Sequence, residues 1–480
     1  MNVNKIVIVG GGTSGCISAL ILKKQFPHLQ ISIVESPDIG IVGVGESSTE
    51  HWSNFCNFIG VNLLDALIYC NATFKSGVYF ENWAEKDFMH SIEEPYANSY
   101  GSYYAVYAHL ISQGENLYSN FSDKNVLGLS NFNDLNDSPH FQFQFDTFSL
   151  NEYLHNLCSN REIEIIYDNL IGVNFHENEN LKNVISESNT YDADFFIDCS
   201  GFAKLLLNQV YEIPWVSYSE YLPLNSAISF ATDEMEEYNK YTKATARNAG
   251  WSWTIPTQTK TGNGYVYCDK FIDRDEAQRE MEEVYGQSLN ILKEFKFDPG
   301  RLDKAWHKNC YAVGLSQSFV EPLEATSIGS VIQQMFCFVN YLPSYDQETC
   351  NQEVNNVFDN IVDYVQAHYL TKREDTPFWK HIKYNLNLTP RLESYLKMWK
   401  DRLPLSDDVK GSWNLFQSAN YIPILYGLDW FDNDKIKKQY NEYYRDAVES
   451  DIINQLNLEP PAFFVGHKKF IKEIVNGRRS

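Results

Sequence analysis

Ile6-Val-Ile-Val9 is a short β-branched run that leads straight into Gly10-Gly-Gly12-Thr-Ser-Gly15 and then a helical stretch from Cys16 to Gln25. A run of this kind reads as a strand buried on both faces, as in a parallel sheet. Glycines at these three places, between a strand and a helix, leave little choice of fold. Gly10 permits the tight turn, Gly12 lets backbone approach a pyrophosphate, and Gly15 lets helix pack on strand. The helix start then offers free N–H groups and the positive end of its dipole. A second strand, Ile31-Ser-Ile-Val34, ends at Glu35. That carboxylate lies about 20 residues past Gly15, where it can accept from both hydroxyls of an unphosphorylated ribose. Gly10, Gly12, Thr13, Ser14, Gly15 and Glu35 are therefore expected to hold a dinucleotide.

The rest of the chain bounds what such a site can serve. At 480 residues and 44% hydrophobic content it reads as globular, with two to three domains expected from length. A net charge of −24 argues against nucleic acid, whose phosphates would be repelled. Nine cysteines with no C-x-x-C spacing suggest neither a disulfide framework nor a metal site. No apolar run reaches the roughly 18 residues of a membrane span, and the N-terminal run is too short for a signal peptide. The expected place is the cytoplasm, with no membrane partner.

Several later segments carry chemistry. In Gly250-Trp-Ser-Trp-Thr-Ile-Pro256 the two indoles, at i and i+2 of a strand, point the same way. Taken alone, such a pair is usually a couple of core aromatics. Gly43-Val-Gly45-Glu46-Ser47 is a second glycine-rich loop, without a second G-x-G-x-x-G anywhere. Asp194-Phe-Phe-Ile-Asp198-Cys-Ser-Gly201-Phe reads as a buried strand ending in a turn. Lys75, in Ala72-Thr-Phe-Lys75-Ser-Gly-Val-Tyr-Phe80, sits in an alternating, strand-like pattern with apolar neighbours. Most strand lysines are solvated, so this one is notable only in company. Glu324 follows Glu321 in Phe319-Val-Glu-Pro322-Leu-Glu324-Ala-Thr326-Ser327-Ile328. A carboxylate there could equally be favoured only by a helix start.

Together these blocks, G-W-x-W-x-I-P, T-F-K, D-C-S-G-F and E-P-L-E-A-T-S, resemble the flavin-dependent halogenases, the tryptophan halogenase-like type in particular. The resemblance implies an α/β fold: an FAD-binding Rossmann-like domain of the hydroxylase, glutathione-reductase-like type over 1–330, followed by a mostly helical substrate domain over 331–480. It implies that Ser36, Ile39, Val42, Val44, Gly45, Glu46, Ser47, Leu315 and Ile328 line FAD beside the first turn. Flavin hydroxylases place G-D-x-x-x-x-x-x-P where this chain has Gly314-Leu315 and Pro322. Leu315 in place of the aspartate departs from hydroxylases and agrees with halogenases, and should offer the flavin only backbone and van der Waals contact.

The implied activity starts from FADH2, O2 and a halide (chloride, bromide or iodide), which give hypohalous acid. That small oxidant passes Trp251 and Trp253, which wall off a tunnel, and reaches Lys75. An amine can hydrogen-bond hypohalous acid or form a haloamine, fixing the electrophilic halogen at one point. Glu324 would stabilise the arenium cation and accept its proton. Thr326 and Ser327 would bind halide ahead of a helix. Tryptophan halogenases usually read E-S-T-G there, so E-A-T-S leaves the halide preference open. His90, in Phe88-Met-His90-Ser-Ile, resembles a histidine on the substrate side, although a lone histidine is more often structural.

The expected substrate is a small, electron-rich aromatic, indole or phenol type, and the expected partner is a separate NAD(P)H-dependent flavin reductase. The resemblance leaves room for a homodimer. The alternative is an aromatic hydroxylase (a monooxygenase) on the same fold. Beyond the glycine half, Val331–Leu342, Asn356–Tyr369 and Asp434–Leu456 show helical apolar spacing. Ala367-His-Tyr-Leu-Thr-Lys-Arg373-Glu-Asp-Thr-Pro-Phe-Trp379 resembles a landmark of the same family. The polar stretch Asn120–Pro139 reads as a surface insertion.

Overall fold

Period-2 alternation in the first strands divides the core between two faces. Lys5–Val9 lies between Gln30–Glu35 and Phe195–Asp198, parallel to both. Ile6, Ile8, Ile31, Ile33 and Ile197 enter the main core, whereas Val7, Val9, Val34 and Phe196 enter a second cluster on the opposite face. Apolar side chains on both faces are what a β-branched run without alternation requires. The full sheet has six strands, in the order Trp306–His307, Cys310–Ala312, Phe195–Asp198, Lys5–Val9, Gln30–Glu35 and Glu164–Tyr167. The helix Thr13–Gln25 packs beside it, with Thr326–Tyr341 and Thr147–Ser159 laid against that helix. The computed structural model describes residues 3–40, 43, 45–91, 103–114, 142–445 and 466–479. Val42, Val44 and the stretch Asn120–Pro139 lie outside the described residues.

A second sheet of seven strands stands next to the first. Its order is Ile291–Lys296, Ser226–Thr232, Thr261–Tyr267, Gly250–Pro256, Thr242–Arg247, Gly77–Glu81 and Phe88–Ser91. All neighbours are antiparallel except Thr242–Arg247 and Gly77–Glu81. The segment Ala72–Phe80, expected as one strand, divides at Ser76. Thr73–Lys75 pairs with Gln142–Phe145 in a small sheet that also holds Glu46–Ser47. Ser76 N–H and Oγ both donate to Lys240 O, at 2.6 and 2.9 Å, and redirect the chain into the large sheet.

Among the described residues after Phe319 there are helices and loops and no strand. Thr326–Tyr341 starts ahead of the expected Val331. Gln347–Ala367 starts nine residues ahead of Asn356, because Asp346 caps it by accepting from Thr349 N–H at 3.1 Å. A boundary at 330/331 falls inside Thr326–Tyr341, and one apolar core runs from Ile6 through Met335 to Trp399. Asn433–Gln439 continues into a wider turn over Tyr440–Tyr444; residues 446–456 of the expected last helix lie outside the described residues. Among the described residues no helix is long and apolar enough to cross a membrane.

Candidate active site

The glycine turn has the geometry its spacing predicts. Gly10 takes φ +106°, and a Cβ there would strike Cys199 O at 2.2 Å. A Cβ on Gly15 would lie 1.9 Å from Gly10 O, so only hydrogen lets the helix close on the strand. Around Gly12, by contrast, a Cβ would meet nothing within 4 Å. The helix Thr13–Gln25 begins there with no side-chain cap, so its first N–H groups are available. Glu35, at the end of its strand, has a buried Oε2 with no hydrogen-bond partner. Burial pushes its carboxyl up, opposed by His155, whose Nε2 lies 3.5 Å away. An open place over Gly12, free helix N–H groups and a carboxylate oxygen that accepts no hydrogen bond fit the pyrophosphate and ribose of a dinucleotide such as FAD.

The expected lining residues do not all gather at one place. Gly45, Glu46, Ser47 and Leu315 line a common cavity. Ser36 instead donates to Asn169 Oδ1 at 2.6 Å, and Ile39 is 69% exposed. Gly314, at φ +66°, packs against Ser14, where a Cβ would meet Oγ at 2.3 Å, and so Leu315 is delivered close to the glycine turn. Burial raises the Glu46 carboxyl to about 7, and its Oε2 has no partner. Asp198 serves the chain itself, accepting from Leu206 and Leu207 N–H at 2.7 and 3.2 Å.

That cavity, about 210 Å³, brings together five more of the expected residues. Trp251 and Trp253 line it together with Lys75, Glu324 and Ser327, while Phe202, Phe295, Phe297 and Phe319 close its apolar wall. The two indoles stand side by side, centroids 6.2 Å apart, on one face of Gly250–Pro256. Trp253 fits only because position 264 has no side chain: a Cβ there would lie 2.1 Å from its ring. Trp251 Nε1 donates to Glu321 Oε1 at 3.1 Å, and Tyr369 OH donates to the same oxygen at 2.6 Å. Burial nevertheless lifts the Glu321 carboxyl to about 7.

Lys75 is buried at the end of Thr73–Lys75, its Nζ donating to Ser48 O at 3.1 Å. Burial lowers its pKa to about 8, with Glu324 and Glu50 acting in the opposite direction. Glu324 is buried too, yet its carboxyl is held well below the usual range. Burial works against ionisation, and His90 and His368 outweigh it. His90 Nδ1 lies 2.9 Å and His368 Nε2 3.1 Å from Glu324 Oε1. Tyr364 OH reaches His90 Nδ1 at 3.1 Å. Both Glu324 and Ala325 are left-handed, at φ +67° and +57°, a local strain that turns the carboxylate into the site. Thr326 and Ser327 begin the next helix, which has no side-chain cap; Thr326 and Ile328 are buried and only Ser327 of the three lines the cavity.

Sequence reasoning missed the supporting residues. His368, Tyr364 and Tyr369 come from or just beyond Gln347–Ala367, about 40 positions from the carboxylates they bind. His368 and Tyr369 fall in the landmark Ala367–Trp379 and Tyr364 just before it, with nothing in the stretch to name their partners. Glu321 was visible in the same segment as Glu324 but carried no signal of its partner.

Comparison with known proteins places the chain among the flavin-dependent halogenases, oxidoreductase-type enzymes. The tryptophan halogenase family model matches residues 5–440, and the chain belongs to that family. It is 30% identical over 469 residues to tryptophan 6-halogenase SttH of Streptomyces toxytricini, covering 89% of each chain. Over 483 residues it is 29% identical to tryptophan 7-halogenase RebH of Lentzea aerocolonigenes, again covering 89% of each. The solved structure of Tar14, a tryptophan C-6 flavin-dependent halogenase (chlorinase) from taromycin biosynthesis, superposes with a TM-score of 0.81. The match is 27% identical and covers 98% of this chain and 99% of that one.

Proposed function

We propose that this protein is a two-component halogenase that uses FADH2 from a separate NAD(P)H-dependent reductase, O2 and a halide to halogenate an electron-rich aromatic of indole or phenol type. The observation that carries the reading is the meeting of Lys75 and Glu324 in one buried cavity with Trp251 and Trp253. Reduced FAD, when bound, would donate two electrons to O2 and so supply the two-electron oxidation that converts halide to hypohalous acid. Gly10, Gly12, Thr13, Ser14, Gly15 and Glu35 would hold its adenosine and pyrophosphate; Gly45, Glu46, Ser47 and Leu315 would hold its other end.

The chain's own residues do the rest. Trp251 and Trp253 narrow the passage so that a small oxidant travels and an arene does not. Lys75 receives the oxidant. With a pKa of about 8 an appreciable share of its side chain is free amine near neutral pH, able to hydrogen-bond hypohalous acid or form a haloamine. Glu324, kept anionic by His90 and His368, faces the positive charge that develops on the ring. Held this low, it acts more through charge than through basicity. Ser327 and Thr326 are proposed to hold halide at the start of their helix. The arene is proposed to sit toward the helix Gln347–Ala367 and the residues just after it, which send Tyr364 and His368 to Glu324.

A panel of indoles and phenols, turned over with reduced FAD, O2 and competing chloride and bromide, tests the reading by mass spectrometry. Halogenated product is expected. Hydroxylated product without halogen would replace it with the hydroxylase alternative.

A further inference from the structure

Three consecutive glycines, Gly10-Gly11-Gly12, form the turn under the proposed dinucleotide. Glycine accepts φ of either sign, so their own sterics do not decide which way the peptide planes face. The Gly11 carbonyl is nevertheless gripped from one side. His155 Nε2 lies 2.7 Å from it, Asn151 Nδ2 donates at 3.2 Å and Cys16 Sγ at 3.3 Å. Asn151 and His155 stand one turn apart on Thr147–Ser159, so both side chains reach the same oxygen. In a planar trans peptide the carbonyl and the following N–H point opposite ways. Fixing Gly11 O toward that helix therefore turns Gly12 N–H away from it, beside the position where a Cβ would meet nothing within 4 Å.

We propose that Asn151 and His155 are positioning residues that lock the Gly11–Gly12 peptide so that its N–H faces the pyrophosphate of the bound dinucleotide. The inference rests on the FAD reading given above. His155 also lies 3.5 Å from Glu35 Oε2, so its loss could act through the ribose instead; Asn151 makes no such approach. Affinities of FAD, ADP and adenosine separate the two routes. They are measured by calorimetry on the full chain and on Asn151→Leu, His155→Leu, the double variant and His155→Gln.

A carbonyl left with only the weak Cys16 thiol as donor lets the glycine peptide turn, and ADP and FAD should bind about tenfold more weakly to the double variant. Adenosine, which has no phosphate, should bind unchanged, and His155→Gln, with a donor at similar reach, should recover most of the loss. Unchanged ADP affinity, or an equal loss for adenosine, would overturn the lock. A wild-type chain that binds neither FAD nor ADP would instead remove the reading on which it rests.

Discussion

At the scale of single residues, the cavity holds a buried amine and a buried carboxylate with opposite fates. Lys75 is pushed toward neutrality and Glu324 is kept charged. The folded pKa of Lys75, about 8, lies below its ordinary 10.5. The folded state therefore gives up this proton first, and stability rises with pH between those values and is lost as pH falls through 8. Replacing Lys75 by Met should remove that slope and stabilise the protein at pH 7 by roughly 1–3 kcal/mol, as functional sites commonly do when relieved of a buried charge. Urea unfolding of both proteins at pH 7 and pH 10 checks it; a Met variant less stable at pH 7 contradicts the burial argument. Glu324→Gln removes the charge but not the shape, and should depress arene turnover by about a hundredfold while leaving flavin oxidation intact, a typical size for a preorganised electrostatic contact. Lys75, Glu324 and the two tryptophans were legible because each sits in a short local pattern. His368 and Tyr369 were not, because their partners are fixed by the packing of a distant helix.

At the scale of elements, the strand bearing Lys75 is three residues long and depends on its neighbours. Phe74 N–H, next to Lys75, is accepted by His467 Nε2 at 3.2 Å, from the helix His467–Arg479. Burial lowers the His467 pKa from 6.5 to about 4, so the folded state binds its proton later than the unfolded chain. Stability from this contact is whole above pH 6.5 and lost as pH falls toward 4. His467→Ala removes the hydrogen bond between Phe74 N–H and His467 Nε2 and should cost about 0.5–1.5 kcal/mol; equal thermal unfolding of the two proteins at pH 7 would show that this helix does not brace the strand. Gly264→Ala tests the other wall. Its Cβ would fall 2.1 Å from the Trp253 ring, so the indole must move, at a cost of roughly 1–3 kcal/mol, with a changed near-ultraviolet dichroism. The parallel strands and the glycine turn were readable because alternation and glycine spacing are local. The break at Ser76 was not, since both of its hydrogen bonds go to Lys240, 164 positions away.

At the scale of the whole molecule, the two large sheets and a layer of helices share the main core, with the cavity among them. Among the described residues after 330, the helices were legible from apolar spacing. A boundary at 330 was not: Thr326–Tyr341 packs on both the glycine-turn helix and Gln347–Ala367, and a sequence pattern shows a helix's apolar face without showing how many partners it has. If the glycine turn holds FAD, ligand at a hundred times its Kd should stabilise the protein by about 2.7 kcal/mol. Thermal shift with and without FAD measures this, and Glu35→Ala should reduce it. A melting temperature indifferent to FAD would speak against the dinucleotide site. The central claim is that the oxidised halogen reaches the arene only through Lys75. Its most direct measurement runs wild type and Lys75→Ala side by side with reduced FAD, O2 and bromide, recording free hypobromous acid by a scavenging dye and brominated arene by mass spectrometry. Lys75→Ala should form and release hypobromous acid at the wild-type rate while brominated arene disappears. Undiminished bromination of the arene by Lys75→Ala would contradict it.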